Sequence, residues 1–501
     1  REQIDDTFDA ISYQKGASLL RMLETWIGED GFRNGVRRYL AAHAFGNARS
    51  SDLLAALLAE AGPQADDLNQ VFTSMTEQVG VPALEIALDC GADGHGAPRL
   101  LLSQHRFVPL ARQLAQESRP IPQTLEGQWA FPACFQYGEG ADFGETCGVV
   151  RDVHQVLALP EGEKCPTWVV GNSRGNSYFL PILSAPLMNA LLHAPLLPDE
   201  AVAVLGDARL LSQSGDMPLD LALELAARFA DSRQPLVADA AVTLLQGVAP
   251  AVYASNEDRE ALARFVRTHF GERAARLGWT PKPDERVVDG LLRVDLLPLV
   301  ADLGADNALR LDALRIAHSW LAGHVGLGDM LAPTLVTAAH YGNAELFDAY
   351  LAATTRVTGS DRTTLLTALG SFRDPVLIDR AIALASGDRM ETRDARLVLL
   401  ALAAEPASAT QSLHYLEGHY DETMKRLGED GSIWLSTAMA RVCDANLRRE
   451  FEHSFVERVD RSGIGVRDLA QALESSELCI GSRSEQGARL HAYLFAAPDR
   501  T

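Results

Sequence analysis

Few stretches of this sequence have the residue types and spacing that chemistry requires. Gly171-Asn172-Ser173-Arg174-Gly175 matches the G-x-S-x-G of a nucleophile elbow, with Ser173 as the attacking hydroxyl. An elbow needs a strand, a sharp turn and then a helix. Residues 176–182 are aromatic, β-branched and proline-containing, so they read as a further strand, and the glycines read as a polar turn. The histidines do not form a metal motif. H-E-x-x-H, which sets two imidazoles on one helical face, is absent. His414 and His419 are five apart and His318 and His324 six apart, spacings that do not share a face. His43, His95, His154 and His193 stand alone. The block Phe8-Asp9-Ala10-Ile11-Ser12-Tyr13-Gln14-Lys15-Gly16-Ala17 puts a phenol and an amine at the start of an amphipathic helix. A tyrosine there is ordinarily half-buried, with its hydroxyl at the surface.

The elements that position these residues change period twice along the chain. Residues 1–82 read as helical. Leu19, Leu20, Leu23, Trp26 and Ile27 recur at helical spacing and Gly28 stops them. Phe32, Val36, Tyr39 and Leu40 mark a second helix. Ser51-Asp52 is the expected cap of a third, and Leu68, Val71, Phe72 and Met75 mark a fourth. From residue 83 the period is two. Leu84, Ile86 and Leu88 alternate, as do Trp129, Phe131, Ala133, Phe135 and Tyr137, with turn residues between short runs. This predicts a β-sandwich over 83–183. From 184 to 501, short alanine- and leucine-rich helices follow one another, among them 219–229, 237–245, 259–270, 308–321, 362–369, 375–385 and 393–404. No strict repeat emerges, so an irregular solenoid of antiparallel helix pairs is expected. The fold class is therefore mainly α with one β-sandwich.

Composition narrows the function. With 45 basic and 67 acidic residues the formal charge is −22, which argues against a nucleic-acid partner. No apolar run reaches the ~18 residues that span a bilayer. Asp5-Asp6 and Asp66-Asp67 read as solvated helix starts, where acidic groups suit the helix dipole. The six cysteines are Cys90, Cys134, Cys147, Cys165, Cys443 and Cys479, with no C-x-x-C. Four fall in the β-domain and two in the terminal helices. Even counts within separate domains predict disulfides and an oxidising, periplasmic or secreted setting; reduced thiols in a cytoplasmic protein are the alternative. Four cysteines allow three connectivities, which stay open.

The Phe8–Ala17 block, with the leucine-rich helix and the L-E-x-x-I-G-E-D-x-F run that follow it, resembles the zinc aminopeptidases of the aminopeptidase N family. Residues 76–82, Thr-Glu-Gln-Val-Gly-Val-Pro, resemble the W-x-x-Q-x-G-x-P that closes that family's catalytic domain, with Met75 or Thr76 where tryptophan is usual. Residues 103–107 resemble its L-x-Q-x-R-F strand. Residues 165–169 with Asn172, Gly175, Tyr178 and Phe179 resemble its W-(I/V)-x-x-N-x-x-G-x-Y-(Y/F)-R segment, with Leu180 in place of the arginine. Residues 443–445 and 463–479 resemble a stretch of bacterial members in which the two cysteines pair, so Cys443–Cys479 is expected.

The resemblance implies a metallo-aminopeptidase acting on peptides with a free N-terminus. Tyr13 would be the phenol that donates a hydrogen bond to the tetrahedral oxyanion, an interaction stronger in the transition state than in the ground state. It also implies a helical cap over the catalytic cleft. Zinc would be held by the upstream catalytic half of the same polypeptide, and none by this chain, which is expected to be the inactive C-terminal part. Residues that bind substrate are not assignable from the sequence. A binding protein that keeps this architecture without catalysis, or a helical-repeat scaffold, is the alternative function.

Overall fold

Apolar residues at the predicted periods build most of the observed elements. The computed structural model describes residues 11–91, 96–109, 126–160, 164–252, 255–283, 285–323, 326–388 and 390–496. Asp5, Asp6, the Phe8-Asp9-Ala10 start of the motif, His95 and His324 lie outside the described residues. The chain divides into two units, residues 1–211 and 212–501.

In the first unit a single π-helical turn, Ile11–Lys15, runs into α1 (Gly16–Ile27), followed by α2 (Glu29–Ala42), α3 (Ser50–Leu58) and α4 (Ala65–Glu77). Leu19, Met22 and Leu23 of α1 and Leu68, Val71, Phe72 and Met75 of α4 are buried. Gly28, at φ 83°, separates α1 from α2 as expected of a residue without a Cβ. Two details differ from the sequence reading. Leu40 is exposed rather than part of a core. The cap of α3 is Arg49, not Ser51-Asp52; the Asp52 carboxylate instead accepts the Arg49 N–H at 2.7 Å, which satisfies a donor the helix start leaves open.

Among the described residues seven strands follow: β1 (Pro82–Asp89), β2 (Arg99–Arg106), β3 (Phe131–Glu139), β4 (Asp142–Val150), β5 (His154–Ala158), β6 (Trp168–Val170) and β7 (Leu180–Leu183). They form a four-stranded sheet in the order β5-β2-β1-β7 and a three-stranded sheet in the order β4-β3-β6. All pairings are antiparallel except β1 with β7. Gln104 staples these strands to the neighbouring loops. Its buried amide accepts the Trp129 N–H at 2.8 Å and donates to the Trp129 and Asp152 carbonyls at 3.0 and 3.1 Å. Two disulfides lock the region. Cys90–Cys165 closes a 75-residue separation, and Cys134–Cys147 joins directly opposed residues of β3 and β4. The helices α5 (Ala185–Ala190) and α6 (Pro198–Gln213) come next.

The second unit is helical throughout its described residues. Its helices are α7 (Leu219–Phe229), α8 (Pro235–Val252), α9 (Asn256–Leu277), α10 (Val287–Asp302), α11 (Asn307–Leu321), α12 (Leu331–His340), α13 (Ala344–Ala353), α14 (Gly359–Leu369), α15 (Pro375–Ser386), α16 (Thr392–Ala404), α17 (Pro406–Leu427), α18 (Glu429–Met439), α19 (Ala445–Ser462) and α20 (Val466–Phe495). The even-numbered helices from α8 to α20 pack each against the next, and each odd-numbered helix from α9 packs against the even-numbered one that follows. The 30-residue α20 also packs against α7, α8 and α9, so the row returns to its beginning. The sequence reading did not include that return. Its buried pivot is Gln486, which accepts the Leu219 N–H and donates to the Ser212 and Met217 carbonyls, each at 3.0 Å. Cys443 and Cys479 are bonded, tying the start of α19 to α20.

Candidate functional site

Tyr13 lies in the middle of the π-helical turn and is 60% exposed. A π turn carries an extra residue per turn, which re-aims side chains and recurs at functional sites. Here it ends where Gly16 begins the regular helix, and a Cβ at Gly16 would meet nothing within 4 Å, so no packing contact demands that glycine. The exposed phenol is therefore not a core residue. The helix that follows it is anchored in the core through Leu19, Met22 and Leu23.

The structure also brings together two motifs that are 163 positions apart in sequence. The ammonium of Lys15, two residues after Tyr13, sits over the Tyr178 ring at 5.9 Å from its centroid. Both groups are half-buried. Burial lowers the Lys15 amine from its ordinary value and raises the Tyr178 phenol. The Lys15 stem is thus held against the β-domain, and the turn that carries Tyr13 is held at its far end. Sequence reasoning named both residues as motif members but had no signal that they touch.

The turn that presents Tyr178 is built by its polar residues. Asn172 donates to the Ser177 carbonyl at 2.8 Å and accepts the Ser177 N–H at 3.2 Å. Arg174 and Gly175 both have positive φ, and a Cβ on Gly175 would lie 2.8 Å from the Ala203 Cβ. Ser173 is buried in this turn and donates to Glu145 Oε1 at 2.5 Å. A serine with a carboxylate partner in a short 3₁₀ turn, with no helix after it, is not a nucleophile elbow, as the sequence reading expected. The extended segment predicted at 176–182 contracts to a strand at Leu180–Leu183. The Q-x-G-x-P run is explained the same way: Gly80, at φ 110°, has the Arg106 side chain where a Cβ would stand.

The second unit holds two groups of charged residues that the sequence did not reveal. At successive helix ends, His340 Nδ1 lies 2.9 Å from Asp302 Oδ2, and its Nε2 lies 3.2 Å from Glu405 Oε1. Arg373 donates to Glu405 at 3.0 Å and sits 3.5 Å from Asp302. The Tyr341 hydroxyl donates to Asp302 at 2.7 Å, and Arg310 stacks on the Tyr341 ring. Burial alone would lower the His340 imidazole, but the hydrogen bonds and charges of Asp302 and Glu405 outweigh it and hold it above its ordinary value. Burial alone would raise both carboxylates, but His340 and Arg373 hold them below theirs. The other group is His414, Glu417 and Glu450, with one ligand atom of each within 4.8 Å of the others. The sequence reading tested His414 against His419; its partner is Glu417, three residues on. A H-x-x-E search would have found that pair, but Glu450, on another helix, carries no local signal.

The metal that the resemblance implies is held in that family by H-E-x-x-H. This sequence has no H-E-x-x-H, and the three-residue group just described belongs to the second unit. No step through such a metal is derived from these residues.

Comparison with known proteins places the chain. Residues 168–478 match the ERAP1-like C-terminal domain, and residues 1–75 match the peptidase family M1 domain. Aminopeptidase 2, mitochondrial, from Saccharomyces cerevisiae is 24% identical over 432 residues, covering 85% of this chain and 43% of the yeast protein. Aminopeptidase M1 from Arabidopsis thaliana is 27% identical over 423 residues, covering 78% of this chain and 45% of the plant protein. Aminopeptidase A from Gloydius brevicauda is 24% identical over 498 residues, covering 95% of this chain and 49% of the snake protein. The chain thus spans about half the length of these relatives.

Proposed function

We propose a function from one premise: this chain belongs to the ERAP1-like C-terminal domain family, in the aminopeptidase N family of metallopeptidases, and carries a peptidase family M1 segment at residues 1–75. It is the C-terminal part of an aminopeptidase that removes N-terminal residues from peptides. The observation that carries this reading is the exposed Tyr13 phenol, set in a π turn inside the M1 segment. Its role is to donate a hydrogen bond to the oxygen on which negative charge develops when water adds to the scissile carbonyl. A phenol is a neutral donor at neutral pH, and a donor held in place before reaction needs no reorganisation as the charge forms. Lys15, packed on Tyr178, fixes the turn that carries the phenol. The ligands for the parent enzyme's zinc belong to sequence outside this chain, and this chain has no peptidase activity alone.

Two finer readings accompany this. The two sheets of residues 83–183 form an Ig-like sandwich, and the helices that follow it in sequence form an irregular HEAT/armadillo-like solenoid. Three disulfides support an oxidising, periplasmic or secreted setting. Among the described residues no helix is long and apolar enough to cross a membrane.

The test is Tyr13→Phe in the polypeptide extended upstream, assayed on fluorogenic aminoacyl amides beside the 501-residue chain. Loss of one oxyanion donor lowers kcat by about 10²–10³-fold with little change in KM. The 501-residue chain alone is expected to be inactive. Near-normal turnover by the phenylalanine variant removes Tyr13 from the mechanism.

A further inference from the structure

The geometry points to a divalent transition-metal site on the second unit, made by His414 and Glu417 of α17 and Glu450 of α19, that takes Zn²⁺ and clamps the two helices together. It is independent of the reading of Tyr13.

The ligands come from two elements but meet at one point. His414 and Glu417 are three apart on α17, the spacing that stacks two side chains on one helical face. Glu450 reaches them from the second turn of α19. One donor atom of each lies within 4.8 Å of the others. A tetrahedral shell with bonds of ~2.1 Å holds its ligand atoms roughly 3.4 Å apart. Glu450 is exposed, so a change of its rotamer can close that difference.

The least exposed ligand is already oriented. Ser454, one turn beyond Glu450 on α19, donates its hydroxyl to Glu417 Oε1 at 2.5 Å. Arg458 donates to the Glu417 backbone carbonyl at 2.9 Å. The helix is irregular just past this point, with His419 at φ −129° and its ring nitrogen 3.0 Å from the Tyr415 carbonyl. The His414 ring packs on Phe451 with centroids 5.1 Å apart. A first shell whose members are held by neighbours loses less freedom on binding, and such outer partners tune metal affinity.

The donor set selects the ion. One imidazole and two carboxylates neutralise a divalent cation, and imidazole suits Zn²⁺ and related ions. Ca²⁺ takes six to eight oxygen ligands, which this set does not supply. Water fills the remaining position. The ion would hold α19 to α17 close to where Cys443–Cys479 ties the same helix to α20, so the two cross-links would brace α19 on both sides.

The experiment uses the 501-residue chain, stripped by chelator and titrated with Zn²⁺ alone by calorimetry. Co²⁺ absorption serves as a second, spectroscopic reading of an imidazole-ligated site. The wild type binds about one ion per chain. His414→Ala and Glu450→Gln each abolish that binding while circular dichroism stays unchanged. Ser454→Ala keeps all three ligands and weakens affinity about 10–100-fold. His154→Ala, on exposed β5, binds as the wild type does. No stoichiometric uptake by the wild type, or equal uptake by His414→Ala and Glu450→Gln, overturns the proposal.

Discussion

Replacing His340 with leucine tests the reading of the buried charge group in the second unit. In the wild type the imidazole links Asp302 at the end of α10 to Glu405 between α16 and α17, and its side chain is only 4% exposed. Leucine removes both charge-assisted contacts but leaves Tyr341 and Arg373 on the carboxylates, so neither acid is orphaned. The Asp302 hydrogen bond contributes about 1.5–3 kcal/mol, the Glu405 contact is a close charge pair without hydrogen-bond geometry and adds less, and the apolar leucine returns part of the loss, so the cost is about 3 kcal/mol. For a unit of about 290 residues that is a fall of about 5 °C in Tm by calorimetry.

The pH dependence is the sharper reading. The folded His340 value is raised above 6.5, so its contribution is fully present below that pH and is lost as pH rises through the folded value. The Asp302 and Glu405 values are depressed below 3.8 and 4.5, so their contributions are present above those values and are lost as pH falls through the folded ones. The gap between wild type and His340→Leu is therefore widest between about pH 4.5 and 6.5 and narrows on the alkaline side. A gap that is constant from pH 5 to 9, or that widens with pH, refutes the reasoning.

Two further outcomes follow from the same structure. Replacing Cys443 and Cys479 with serine opens a 36-residue separation, and the chain-entropy relation puts the loss at about 4 kcal/mol, read as a lower urea midpoint. An unchanged midpoint would mean that the bond does not restrain the unfolded chain. Gly370→Ala places a Cβ against the Val398 carbonyl and 2.7 Å from the Ala401 Cβ, where the end of α14 meets α16. It is expected to destabilise by about 1–3 kcal/mol in the same measurement, and a neutral effect would show that the two helices separate freely.

The local elements were legible because burial repeats with the period of the backbone. Leu68, Val71, Phe72 and Met75 are the buried side of α4, and the alternating Trp129, Phe131, Ala133, Phe135 and Tyr137 are all buried, although in β3 Pro132 and Gln136 between them are buried as well. Helix 219–229 has the boundaries the sequence indicated. The misses were at ends, where competing donors decide. Asp52 serves the Arg49 N–H from the third position of its helix instead of standing at the N-cap, and residues 176–179 are drawn into the Asn172 turn before β7 starts. Family resemblance also gave the Cys443–Cys479 pair, while the pairing of the other four cysteines waited for the strand register.

By itself, then, the sequence determined the order of helical and extended segments, the even distribution of cysteines and the motif around Tyr13. Tertiary structure alone decided which distant residues meet. It set Lys15 on Tyr178, brought Glu450 to His414 and Glu417, assembled His340 with Asp302, Glu405 and Arg373, and returned α20 to α7, α8 and α9. The reason is physical. Periodicity reports which side of a segment leaves water, a property of one element. A contact between elements depends on register, crossing and closure, which many sequences with the same periodicity satisfy differently.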